Sequence, residues 1–508
     1  MRITSFLLLL LLLLAGCKTT KMGKQSPNSL SIAILHTNDV YEIGALGGGN
    51  IGGMARLATL SKEIRAKHPH SFSVLAGDFL NPSVMGLAKL DGERIRGKQM
   101  VDMMNQVGVD WVVFGNHEFD LPYEDLQKRI NESEFGWIAG NVYHLVDGQT
   151  QSFVKQRGNR EEKLPRYTIW EVPVSGSDPI KIGVLGVCLD VNKPDFVHYE
   201  DVFESAAKDF KTLAQQSDFV IALTHLEMEQ DRELAQKLPE LRLIMGGHDH
   251  TNMREIIGGV PIAKADANAK TAYIHTLTID LRTRELIVNS ELRALDKTVA
   301  LDLEIDEKVK AWESKAYASF EAQGLPVKQT VASLPEALDG LESHIRYHQT
   351  NLGQELAAAM MQAGKEVDCA IINSGSVRLD DYLQGTITFF DLIRAMPFGG
   401  EEVIVEMKGS LLAKVLDAGE GNKGTGGYLQ LAGIKGETSN WQIMGQPLQA
   451  NQHYRVATTA FLMSGRENDL GFLTEDNPAI SKVEQAGEQD PKRDLRLLFA
   501  DYLKKKYE

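Results

Sequence analysis

Trp111-Val112-Val113-Phe114-Gly115-Asn116-His117-Glu118-Phe119-Asp120 joins a short apolar run directly to a cluster of polar and ionisable side chains. The same pattern recurs on either side of it. Ile32-Ala33-Ile34-Leu35 leads to His36-Thr37-Asn38-Asp39, and Phe72-Ser73-Val74-Leu75-Ala76 leads to Gly77-Asp78. Residues 219–223 lead to Thr224-His225, and Leu243-Ile244-Met245 leads to Gly246-Gly247-His248-Asp249-His250. Runs of this length, rich in β-branched residues, read as buried strands. Residues 54–67, 97–107 and 203–216 lie between them and carry helical spacing. Strands alternating with helices predict an α/β layered domain whose ligands gather at the carboxyl ends of the strands.

Five strand ends would then bring Asp39, Asp78, Asn116-His117, His225 and His248/His250 to one edge. Carboxylate, amide oxygen and imidazole together suit hard and borderline divalent ions. Two ions about 3.5–4 Å apart need a bridging carboxylate, and Asp78 on the second strand end is placed for it. Taken singly, Gly77-Asp78 reads as a turn, Thr224-His225 as a core histidine and Asn116-His117 as a helix cap. Their joint order carries more.

That order resembles the calcineurin-like metallophosphoesterases, and more narrowly the bacterial 5′-nucleotidase and UDP-sugar hydrolase family, over nearly all of the chain after its leader. The resemblance implies an α/β (α+β) fold. In it, a four-layer β-sandwich with flanking helices is joined by a helix to a second α/β domain that binds substrate. It also implies two divalent ions (Zn, Mn, Mg or Ca), the first held by Asp39, Asp78 and His250. The second would be held by Asp78, Asn116, His225 and His248. His117 and Asp120 would form a catalytic dyad, Asp120 orienting the ring and His117 steadying charge on the phosphoryl group. The ions would polarise the phosphoryl oxygens and activate water for in-line attack. The family usually places a second ligand as Asp-x-His at the first strand end, whereas this chain reads Asp39-Val40-Tyr41. Either water replaces the lost ligand, or Tyr41 coordinates a more acidic ion, or the first site is weak. The expectation is the first, with Tyr41 a passive neighbour.

Residues 299–320 have helical spacing that Gly324-Leu325-Pro326 stops. The expected division is 30–297 for the phosphoesterase domain, 298–325 for a linker helix and 326–508 for the substrate domain. In the latter, 351–363 and 410–418 read as helices, and 368–372, 402–407 and 454–459 as strands. Arg346 with Asn351-Leu352-Gly353, the loop from Asn373 to Arg378, and Met396-Pro397-Phe398-Gly399-Gly400 match the family's C-terminal motifs. By that resemblance Arg346 and Arg378 bind phosphate or carboxylate-like oxygens, and Asn373 touches base or ribose. Phe398 and Phe461 would sandwich the base. Glu467 stands where the family often has the Asp that takes ribose hydroxyls, with Arg466 in place of a small residue beside it. The Gly424–Gly427 run lacks a following Lys-Ser/Thr and reads as a turn.

The net charge of −15 argues against a nucleic-acid polymer as partner, while leaving small phosphoesters open. At the N-terminus, Arg2, a leucine run and Leu14-Ala15-Gly16-Cys17 read as a secretory leader ending in a tetrapeptide that looks like a bacterial lipobox. The leucine run is too short to span a bilayer. Residues 1–16 are therefore expected to be removed, Cys17 to carry lipid at the membrane, and 17–29 to be a tether. Cys188 and Cys369 read as buried free thiols. The expected function is a lipid-anchored, periplasmic or outer-membrane phosphoesterase releasing nucleoside and phosphate from nucleotides. The alternatives are a 2′,3′-cyclic-nucleotide phosphodiesterase, a nucleotide-sugar pyrophosphatase, or a non-catalytic nucleotide-binding lipoprotein.

Overall fold

The computed structural model describes residues 28–364, 366–485 and 494–507. The leader 1–16, Cys17 and all but the end of the tether 17–29 lie outside the described residues.

Strand Ser29–Thr37 shows how the layers arise. Its side chains alternate between two faces. Ile32 and Ile34 point into a core shared with a second sheet, while Ala33 and Leu35 join a core under helices. A strand covered on both sides must be apolar at successive positions, which is why the run looks continuous in the sequence. Ser29–Thr37 pairs in parallel with Ser71–Ala76 and antiparallel with Thr271–Asp280. Trp111–Val113 and Gly136–Ile138 extend the parallel side, and Leu286–Ala294 closes the other edge of this six-stranded sheet.

The second six-stranded sheet runs in the order Tyr167–Val174, Ser177–Cys188, Phe219–His225, Ile244–Gly246, Val260–Lys264 and Met253–Ile257. Ile182, Val184, Ile221, Leu223 and Met245 meet Ile32, Ile34, Val74 and Val113 between the sheets. Helices Met54–Lys67 and Lys98–Val107 cover one outer face, and Val202–Leu213 and Met228–Lys237 the other. The result is the expected sandwich of two sheets between two helical layers. Cys188 and Cys369 are both free and buried.

Helix Leu303–Glu321 starts later than its spacing suggested, because the Asp302 side chain caps it by accepting from the Ile305 amide. Ile305, Val309, Trp312, Ala316 and Phe320 form its buried stripe. Trp312 Nε1 donates to Asp102 at 2.7 Å. This helix is docked on helices Met54–Lys67 and Lys98–Val107.

Beyond it, a five-stranded sheet runs Leu429–Ala432, Cys369–Asn373, His453–Thr459, Glu402–Lys408 and Ile480–Gln485. Helix Gly409–Gly421 packs on one face of it, and Asn351–Ala363 and Leu495–Tyr507 are the other long helices of this half. The loop after Cys369–Asn373 makes one tight turn, Ser374–Ser376, against the Gly424–Gly427 turn through Gly375 N–H to Gly426 C=O at 2.8 Å. The ribbon Thr330–Asp339 with Tyr382–Thr388 leads from this sheet back toward the first half.

Candidate active site and metal centre

The parallel strands of both sheets end on one edge, and the polar clusters meet there. Asp39, Asp78 and His248 adopt positive φ of 52°, 57° and 77°. Strained backbone at non-glycine residues persists where surrounding structure enforces it, and here it turns three donor side chains inward. Gly115 is required by the closeness of the strand ends. A Cβ there would stand 2.1 Å from Asp78 Oδ1.

Glu118 ties these ends together. Its buried carboxylate accepts from the backbone N–H groups of Gly115, Asp78, Phe79 and Leu80 at 2.7, 2.9, 2.8 and 3.1 Å. Burial, with Asp78 adding to it, still lifts this carboxyl to about 7. Glu118 had no role assigned from the sequence. Its signal there was a carboxylate inside an otherwise donor-rich turn.

Asp78, His225 and His248 bring one ligand atom each within 4.8 Å of one another, the one such cluster of His, Cys, Asp or Glu among the described residues. His225 Nε2 lies 3.2 Å from Asp78 Oδ2 and 3.1 Å from Asn116 Oδ1. Its Nδ1–H donates to the Ala76 carbonyl at 2.7 Å, which turns Nε2 toward Asp78 and Asn116. Burial depresses His225, yet the Asp78 carboxylate overrides it and raises the imidazole to about 9. This spot selects positive charge. Burial and His225 together push His248 down to about 4, leaving it a neutral donor. One carboxylate, one amide oxygen and two imidazoles at these separations fit a divalent ion.

The first expected set, Asp39, Asp78 and His250, does not draw its three ligand atoms within 4.8 Å of one another as the second does. His250 Nε2 stands 3.4 Å from Asp39 Oδ1. The Tyr41 hydroxyl lies among them, 3.3 Å from Asp39 Oδ1, 3.2 Å from Asp78 Oδ2 and 2.9 Å from His250 Nε2. His250 Nδ1 bonds the carboxylate of Asp380, from the second half of the chain.

His117 and Asp120 meet at 2.7 Å through Nδ1 and Oδ2. Asn81 and Asn192 donate to the two oxygens of Asp120 at 2.7 and 2.6 Å and fix it. Burial lowers His117, but the Asp78 and Asp120 carboxylates outweigh it and raise the ring to about 9.

A cleft opens beside this edge, and Tyr41, His117 and His250 line it together with Arg378, Asp380 and Phe398. Phe398 is 71% exposed, with the Arg378 guanidinium 5.8 Å from its ring centroid. Arg346 is buried, and its Nε and Nη2 donate to Glu342 at 2.9 and 2.7 Å. Asn373 donates to Glu467 at 2.7 Å. Phe461 is 42% exposed beneath the Arg466 guanidinium at 6.0 Å. Sequence reasoning missed Glu342, Asp380 and Asn192, as it missed Asn81 and the role of Glu118.

Fold and site together define a metal-dependent hydrolase of phosphoesters. Residues 32–252 match the calcineurin-like phosphoesterases and residues 330–474 the 5′-nucleotidase C-terminal domain, so the chain belongs to the phosphoesterase family built from these two units. Protein UshA of Yersinia enterocolitica is 28% identical over 86% of each chain. The trifunctional nucleotide phosphoesterase protein YfkN of Bacillus subtilis is 25% identical over 87% of this chain, which spans 33% of YfkN. Among solved structures, the 5′-nucleotidase precursor of Thermus thermophilus shares the fold. Its TM-score is 0.65 at 22% identity, covering 94% of this chain and 97% of that one.

Proposed function

We propose that this chain is an extracytoplasmic, lipid-anchored enzyme of the 5′-nucleotidase type that hydrolyses nucleotides to nucleoside and phosphate. The observation that carries the reading is the shared cleft, where His117 and His250 face the same space as Arg378 and Phe398. Relatives named as a nucleotide phosphoesterase and a 5′-nucleotidase support a nucleotide substrate. In this reading residues 30–297 do the chemistry, 298–325 connect, and 326–508 hold the substrate. Residues 1–16 direct export, Cys17 carries lipid, and 17–29 tether the body to a membrane.

Two divalent ions are assigned here, one to Asp39, Asp78 and His250 and one to Asp78, Asn116, His225 and His248. When bound, such ions polarise phosphoryl oxygens and activate the attacking water. The remaining work belongs to the chain itself. Asp120 holds the Nδ1 proton of His117, so Nε2 is the ring atom left to meet a phosphoryl oxygen whose charge grows in the transition state. Arg378 offers paired N–H groups to substrate oxygens from the opposite wall. Phe398 and Phe461 present open ring faces for a base. The Asn373–Glu467 pair offers one carboxylate and one amide to ribose hydroxyls.

The test is hydrolysis of nucleoside 5′-monophosphates, 2′,3′-cyclic nucleotides, nucleotide sugars and an aryl phosphate, read as free phosphate from the monoesters and as nucleoside monophosphate from the other two. It is run with and without chelator and with added Zn²⁺, Mn²⁺, Mg²⁺ or Ca²⁺. Monophosphates turned over fastest, with chelator abolishing release, is the expected result. Preference for the diesters would move the assignment to a phosphodiesterase or pyrophosphatase. Nucleotide binding without release under any metal would make the chain a binding protein.

A further inference from the structure

The structure assigns Lys264 to the metal centre as a positioning residue: its buried ammonium holds the chain beside His225 and His248, the two imidazoles that face Asp78. This inference rests on the metal-dependent reading above and adds to it a residue that does not line the cleft. Lys264 ends strand Val260–Lys264, which pairs in parallel with Ile244–Gly246, and it stands opposite Gly246. Its Nζ donates to the Leu226 carbonyl at 2.5 Å, the Gly247 carbonyl at 2.9 Å and Asp249 Oδ2 at 2.6 Å. Leu226 follows His225, and Gly247 and Asp249 flank His248. Asp231 Oδ2 lies 3.0 Å from the same nitrogen. Asp231 Oδ1 accepts from the Thr224 hydroxyl at 2.7 Å, on the other side of His225. Between them, Lys264 and Asp231 engage both chain neighbours of both rings.

Stability alone leaves this arrangement unexplained. Lys264, Asp231 and Thr224 are all buried. Taking a charged pair out of water is costly, and apolar side chains of similar volume generally serve stability as well or better. An apolar side chain cannot satisfy the Leu226 and Gly247 carbonyls. These lie just beyond the ends of strands Phe219–His225 and Ile244–Gly246, where the ladder no longer fixes the chain. An ammonium has three N–H groups. Two go to these carbonyls and the third to Asp249. Its charge is no help to a neighbouring cation, and the Asp231 and Asp249 carboxylates offset it. Gly246 makes room for the pair, since a Cβ there would stand 2.8 Å from both Asp231 Oδ2 and Lys264 Cε.

The two rings depend on this hold unequally. His225 has a second one, from Nδ1 to the Ala76 carbonyl. For His248 the hold is on the backbone, which sits at φ 77° with its N–H donating to Asp39 Oδ2 at 2.9 Å. Left-handed backbone at a non-glycine residue persists where its surroundings over-determine it, and Lys264 fixes both flanks. Loosening Lys264 should therefore displace His248 first and weaken the ion shared by Asp78, His225 and His248. Loss of a group that orients a metal ligand typically costs about 10–100-fold in metal affinity.

The experiment measures ions per chain against free Mn²⁺ or Zn²⁺ by equilibrium dialysis of the full chain, together with thermal unfolding. Lys264→Met alone would leave Asp231 buried without its cation. The decisive variant is therefore Lys264→Met/Asp231→Asn, whose asparagine still accepts from Thr224 and carries no charge. It is expected to melt well above Lys264→Met and near wild type, yet to need about 10–100-fold more free metal to fill one ion site. Lys155→Met is the control, because Lys155 is also buried and donates to the Phe135 carbonyl at 2.8 Å, with no bond to the metal centre. It is expected to lose stability and keep wild-type ion affinity. Asp249→Ala, which removes the part-exposed acceptor, is expected to weaken the same ion several-fold, and it decides the matter where the double variant fails to fold. Wild-type affinity in the folded double variant, or in Asp249→Ala where the double variant does not fold, overturns the positioning role and leaves the phosphoesterase reading intact. An equal loss of affinity in Lys155→Met also overturns it, since general loosening of the fold would then account for the effect. A wild type that binds no ion overturns both readings.

Discussion

At the residue scale, the side chains that line the cleft separate from those that hold the floor beneath them. His117 reaches its role through one bond to Asp120 and one ring nitrogen left over. His117→Ala should lower kcat by about 10²–10³ with KM little changed, because the lost contact strengthens only as charge develops. Steady-state kinetics check this, and an equal loss in KM at unchanged kcat would make His117 a binding residue. Phe398 is the opposite case, since it has an open face and no chemistry. Phe398→Ala should weaken nucleotides by about 1–3 kcal/mol and leave a small aryl phosphate nearly untouched. Similar losses on both substrates would remove the stacking role. The candidate donors Asp39, Asp78, Asn116, His225, His248 and His250 were legible because they stand at the ends of five strands, and a strand end fixes position without knowledge of the partner. Asp380 was not legible. Its meaning lies in a contact with His250 across 130 positions of chain, and no local pattern reports that.

At the element scale, burial on both faces makes a strand easy to see and its polar interior hard to see. Helices Met54–Lys67 and Asn351–Ala363 start and stop where their apolar spacing does. The strand Ser29–Thr37 was read as an apolar run with a polar end, yet it carries a buried histidine relay. His36 Nε2 lies 3.1 Å from the Gly246 carbonyl of the facing sheet. His36 Nδ1 lies 3.3 Å from His275 Nε2 on the neighbouring strand, and His275 Nδ1 2.8 Å from Ser290 Oγ. Burial pushes His36 down to about 4 and His275 well below its ordinary value. Both rings are neutral in the fold. Below the ordinary value near 6.5 the unfolded chain takes up a proton that folded His36 refuses until about pH 4, so stability falls as pH drops through that window. The loss from His36 alone is about 3 kcal/mol. Thermal unfolding between pH 7 and 4 should show the decline, and His36→Gln, which does not titrate, should flatten it. An unchanged slope in that variant would assign the acid sensitivity elsewhere.

At the scale of the whole molecule, the two halves touch at the candidate site itself. Lys270 of the first half pairs with Asp381 of the second at 3.1 Å, next to the contact between His250 and Asp380. Arg378 reaches the cleft from the same segment. One short stretch, 378–381, therefore supplies a cleft-lining guanidinium, a contact to His250 and a clasp between the halves. A ligand bound between Arg378 and His117 fills the cleft these pairs close, so the clasp opposes both entry and release. The Lys270–Asp381 pair is partly buried, and a pair of this kind contributes about 1 kcal/mol. Removing it should move an equilibrium between closed and open arrangements about fivefold toward the open one. Lys270→Ala is the suitable variant, because it leaves Asp380, His250 and Arg378 in place. Small-angle scattering should show a larger radius of gyration for the variant in the absence of nucleotide, and nucleotide should restore the wild-type value. Product release should quicken, so kcat should rise or hold while KM increases. An identical scattering curve with unchanged kinetics would mean that the packed faces, and not this ion pair, hold the halves together.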